Sequence, residues 1–141
     1  MLPKIKSFAL FAFFTYCVHI NVAYSCPATP ALESFLCSAN EELLTRKLLG
    51  EVFILLGDLP PGSGLGEEKQ RIKPSLAKAR NSVFFNSKAG DFLNDFYGYW
   101  VTILEDMSPY PYESLSAYQH RVDERYFTLQ ERANRLRISL E

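Results

Sequence analysis

The stretch "EVFILLGDLPPGSGLGEEKQ", Glu51 to Gln70, decides the fold class, because an apolar run feeding a glycine-rich turn opens a phosphate-binding unit or ends a helix. A G-x-x-x-x-G-K-[ST] loop needs backbone N–H groups around the phosphates and a lysine ammonium on their outer oxygens. Gly57 and Gly62 have that spacing, but Ser63 and Gly64 follow them, and the next lysine is Lys69. Upstream, Thr29 and Pro30 form a cap and first-turn pair, after which Leu32, Phe35, Leu36, Ala39, Leu43, Leu44, Leu48, Val52 and Leu55 recur at helical spacing. Gly57 therefore reads as a C-cap glycine, with Pro60 and Pro61 preventing continuation. The residues from Gly62 to Gly66 read as a flexible connector. The last turns of this helix are apolar on every side, as expected for an end buried in a core or against a partner.

Working outward, "KQRIKPSLAKAR" from Lys69 to Arg80 is basic and poor in apolar residues, which predicts a solvated segment with a short helix after Pro74. A second long helix, capped by Asn86 or Ser87, carries a stripe of Phe92, Leu93, Phe96, Tyr97, Trp100, Ile103, Leu104 and Met107. "SPYPY", Ser108 to Tyr112, interrupts it with two prolines. A third helix follows, with Leu115, Tyr118, Val122, Tyr126, Leu129, Ala133, Leu136 and Leu140 in three- and four-residue steps. That heptad-like seam can pair within the chain or form a homodimer with a second copy. The prediction is an all-α fold of about three principal helices, near 30–56, 87–107 and 114–139, with a flexible connector over 57–80.

The N-terminus gives the address. Lys4 and Lys6 precede an uncharged apolar stretch from Phe8 to Val18, and small residues at Ala23 and Ser25 place a cleavage site before Cys26. This is the pattern of a signal peptide over 1–25, too short for a transmembrane anchor, and it leaves 26–141 as a single secreted, extracellular helical domain. Two of the fifteen Lys and Arg leave with the signal, so the mature chain carries thirteen positive and sixteen negative charges. No excess of either sign points to nucleic acid. Cys17 lies in the signal, so Cys26 and Cys37 remain, and in an oxidising compartment they are expected to form a disulfide, within the chain or between two chains.

Little here resembles an active site. The mature chain has one histidine, His120, no G-x-S-x-G elbow and no C-x-x-C pair. The carboxylate pairs Glu41 and Glu42, Asp91 and Asp95, and Glu105 and Asp106 read as solvated helix surface. The expectation is a non-enzymatic protein with no catalytic residue, no cofactor and no metal. The distinctive feature is aromatic crowding, with twelve aromatic residues between Phe84 and Phe127. Three helices cannot bury so many rings, and tyrosine and tryptophan suit half-wet contact surfaces. Tyr97, Tyr99, Trp100, Tyr110 and Tyr112 are accordingly the candidate contacts to another protein, an extracellular partner or receptor. Two alternatives are a carrier of a small hydrophobic ligand, and a precursor cut near Arg80 to release a C-terminal peptide.

The mature start "CPATPALESFL" resembles the secretoglobins, small disulfide-linked helical dimers that carry hydrophobic molecules, but Cys37 comes too early for that family's distal cysteine. "NDFYGYWVTILEDMSPYP" is similar to the aromatic core of otospiralin over that short stretch alone. Neither resemblance carries functional residues across, and no family is assigned from them.

Overall fold

The computed structural model describes residues 26–27, 30–58, 65–83 and 87–141. The expected signal peptide, the Thr29 cap and the linker from 59 to 64 lie outside them. Among the described residues there are four α-helices and no strand: α1 Ala31–Leu56, α2 Leu65–Ser82, α3 Ser87–Asp106 and α4 Leu115–Ile138. The all-α class stands, but the count of three principal helices is corrected to four. Most of the expected connector over 57–80 is helix α2.

The reason is a narrow stripe. Ile72, Leu76, Ala79 and Val83 repeat in steps of four, three and four, and all are buried. A helix that covers one side of a core needs no more apolar surface than this. Glu67 and Glu68 in its first turn and Arg80 in its last suit the helix dipole. Pro74 sits inside α2 and is exposed, on the side away from the buried stripe.

Helix α1 begins after Pro30, whose backbone is extended and whose carbonyl accepts from Ser34 N at 3.0 Å. It stops at Gly57, which has φ 71° and donates its N–H to Phe53 O at 2.8 Å. That left-handed geometry is the stop read from the sequence, and a side chain at 57 would strain it. Cys26 and Cys37 are joined in a disulfide within the chain, with Cα atoms 5.5 Å apart, tying the residues before α1 to its second turn.

The direction of the helices follows from their polar pairs. Glu33 meets Arg137, Asn40 meets Gln130, and Lys47 meets Asp123, so each step of seven up α1 is matched by seven down α4. Lys69 with Glu105 sets α2 antiparallel to α3, and Arg132 with Asp95 sets α3 antiparallel to α4. Across the diagonal α1 and α3 run parallel. There Phe35 and Phe96 meet edge to face at 5.7 Å, and the Trp100 indole N–H donates to Ala39 O at 2.9 Å. The result is an up-down-up-down four-helix bundle. Its core takes Tyr118, Val122, Leu129, Ala133 and Leu136 from α4, so most of the heptad-like seam lies inside the chain, while Leu140 is exposed. No described helix is long and apolar enough to cross a membrane.

Candidate functional site

The end of the bundle opposite the disulfide gathers the last turns of α1, the last turn of α3, the start of α4 and the loop between α3 and α4. Arg121, in the second turn of α4, organises this end. Its Nε and Nη2 donate to the two carboxylate oxygens of Glu113, each at 2.8 Å. Nη1 donates to Asp106 O at 2.6 Å and Nη2 to Ser108 O at 3.2 Å. The planar guanidinium lies 3.9 Å from the centroid of Tyr110. Such a charge-assisted fork fixes direction as well as distance. The hydrogen bond from Arg121 holds the Glu113 carboxyl below its ordinary range, and Glu113 raises Arg121 in return.

The loop closes on itself too. Tyr110 N donates to Glu113 Oε2 at 2.9 Å, and the Tyr110 hydroxyl donates to Asp106 Oδ1 at 2.8 Å, which pushes its titration up. Glu113 N donates back to Tyr110 O at 3.1 Å, with Pro111 and Tyr112 between them and Tyr112 at φ 63°. Proline second and a positive φ third is the pattern of a type II turn, in which the third place belongs to glycine or asparagine. A tyrosine there is strained by about 1 to 3 kcal/mol. Tyr112 is nonetheless fully exposed at 106% of its reference area, so its side chain gains no burial among the described residues to repay that strain.

Beside the loop, α1 ends in Phe53, Leu55 and Leu56, which are 40, 66 and 76% exposed. The sequence allowed burial in a core or against a partner for this apolar end, and the chain's own core leaves it uncovered. A cavity of about 130 Å³ lined by Arg46, Leu49, Gly50, Phe53, Met107, Ser108 and Pro109 joins it to the loop. Beneath both lies the Tyr118 ring, whose buried hydroxyl donates to Met107 O at 2.9 Å and is pushed up to about 12 by burial. That hydroxyl sits where a Cβ on residue 50 would be, which explains a buried glycine in the middle of α1.

The five candidate contact residues separate. Trp100 is fully buried and bonded to α1, so its assignment as a surface contact is corrected: it is a core residue. Tyr97 is half-buried toward α2, stacked on Trp100 at 5.9 Å, with Arg80 5.9 Å from its own ring. Tyr99 is half-buried toward α4, beneath Arg132 at 4.2 Å. Only Tyr110 and Tyr112 share one end. The sequence reading missed Phe53, Leu55 and Leu56 as their neighbours, although the all-round apolar pattern of that turn was the available signal.

The chemistry elsewhere is modest. His120 is exposed on α4, 3.9 Å from Glu124. Cys26, Cys37 and Glu41 lie close together, but the two sulfurs are bonded to each other and offer no thiolate to a metal. Comparison with protein-family models, curated proteins and solved structures finds no match.

Proposed function

We propose that this chain is a secreted, non-enzymatic helical protein that acts by binding another protein, with the tyrosine loop and the adjoining end of α1 as its contact surface. The observation that carries the reading is Tyr112: fully exposed, in a conformation that costs energy, on a loop held rigid by Arg121 and Glu113. An aromatic presented on a pre-ordered turn loses little entropy on docking, which is how a few residues come to dominate an interface. The last turn of α1 has no basic residue and is followed by exposed Asp58, while the charge of Arg121 is neutralised by Glu113. The complementary partner face is therefore apolar at its centre and basic at its rim.

The bundle weighs against release of a peptide near Arg80. That cut would part Phe96 and Trp100 from the α1 residues that cover them. The apolar cavities, at about 120 and 130 Å³, are small for a lipid cargo, which calls for ~300 Å³ or more.

Fluorescently labelled protein titrated onto a panel of cell types tests the proposal. Saturable binding is expected on at least one of them, removed by brief trypsin treatment of the cells and lost in Tyr112→Ser and Phe53→Ser/Leu56→Ser variants that keep their helical circular dichroism. Binding that survives trypsin, or that those variants retain, would refute it.

A further inference from the structure

A second cavity, of about 120 Å³, opens between α1 and α4 on the side of the bundle rather than at its end. Leu43, Ile103, Met107 and Val122 form its floor, drawn from three helices and all buried. Leu44 and Tyr126 flank the mouth, and the Lys47 to Asp123 ion pair closes it at 2.6 Å. Val122 is the smallest side chain of that floor, and the polar ladder between α1 and α4 spans the cavity's two long walls. Met107 is unbranched and adapts to what it touches.

We propose that this cavity binds a small monocyclic aromatic acid. Its volume approaches that of an apolar cavity of ~150 Å³ that stays dry and takes up benzene, so a single ring fits and a fused ring system does not. An anionic head follows from the mouth. Lys47 is 22% exposed and Asp123 62%, so the aspartate is the solvent-side member of a surface pair. A surface pair contributes little, and a ligand carboxylate can replace Asp123 on the Lys47 ammonium while its ring enters the floor. An apolar floor with one polar group at the rim is the usual anatomy of a small-ligand site. The cavity shares Met107 with the one at the bundle end, but Tyr110, Tyr112 and the last turn of α1 are not part of it.

The test is a methyl NMR titration of the purified protein with its disulfide intact, using toluene and phenylacetate as probes. Both should give saturable shifts at the methyls of Leu43, Leu44, Ile103, Met107 and Val122, with phenylacetate bound roughly threefold more tightly at low salt. Lys47→Met should abolish that preference and keep the binding of toluene. Val122→Phe should remove both responses, and Leu44→Trp at the half-buried mouth serves the same purpose if the first variant does not fold. No saturable shift with either probe, shifts that persist in the filled variants, or a preference unchanged in Lys47→Met would each overturn the proposal.

Discussion

Arg121 holds Glu113 by two hydrogen bonds of 2.8 Å while its guanidinium stands over the Tyr110 ring, 3.9 Å from the centroid. Lysine at 121 keeps the charge but loses both the fork and the stack, so Arg121→Lys should behave almost like Arg121→Ala. Each is expected to lower stability by roughly 2 kcal/mol, the scale of hydrogen bonds to a charged group that is largely screened from water. Urea denaturation checks this, and a lysine variant as stable as the wild type would remove Arg121 from its organising role.

Tyr112 makes a prediction of unusual sign. Glycine at 112 relieves the positive φ but adds freedom to the unfolded chain, for a net gain of about 1 kcal/mol. Tyr112→Gly should therefore melt at a higher temperature and lose binding to its partner. A fall in melting temperature would mean that the turn is not strained by its tyrosine.

The acids at the helix interfaces answer pH in opposite directions. Arg137 lowers Glu33, as Arg121 lowers Glu113, chiefly through hydrogen bonds. Their stabilisation is present above the unfolded carboxylate value and is lost as pH falls through the depressed folded value. Glu42 is raised, first by burial between α1 and α2 and further by nearby Glu68 and Glu41, against the opposing pull of Arg71. Its contribution is complete below the unfolded value and is lost as pH rises through the raised folded value. Urea titrations at about pH 3 and pH 7 should show Glu33→Gln destabilising more at the higher pH than at the lower. The stability of Glu42→Gln relative to wild type should rise between the two. The same trend in both variants would contradict the assigned causes.

Glu68 is 1% exposed, and neither carboxylate oxygen has a hydrogen-bond partner among the described residues. A buried polar group left unpaired costs about 1 to 3 kcal/mol. Glu68→Leu, which fills similar space without that cost, should stabilise the protein by about 1 kcal/mol or more. Differential scanning calorimetry decides it, since a destabilised variant would show that the carboxylate is satisfied after all.

The stripes of α1, α3 and α4 were legible because their buried positions are strongly apolar, as at Leu93, Phe96, Trp100, Ile103 and Leu104. Helix α2 was not, because Ile72, Leu76 and Ala79, with Val83 just past its end, are outweighed by charges and by Pro74 in any local reading. Trp100 was misplaced for a related reason: its indole is buried and donates to Ala39 O of α1, a contact across 61 positions that no local pattern contains. The prolines of "SPYPY" announced a turn, but the φ of Tyr112 is set with help from the Arg121 to Glu113 pair, a contact across eight positions that no local pattern contains. The Tyr110 and Tyr112 end was thus half visible as residue types and invisible as geometry.

Gly50 separates helix propensity from packing. In an exposed helix interior, alanine in place of glycine gains about 1 kcal/mol. At position 50 the added Cβ would overlap the Tyr118 hydroxyl and ring, which are buried and tied to Met107 O. Gly50→Ala should destabilise by roughly 2 to 3 kcal/mol, because overpacking and a lost buried hydrogen bond outweigh the propensity. Gly50→Ala combined with Tyr118→Phe removes the overlapping oxygen and should recover part of the loss. Equilibrium denaturation of the two single variants and the double variant measures the coupling. Strict additivity would show that Gly50 and Tyr118 do not meet as described, and that the platform beneath the tyrosine loop is built differently.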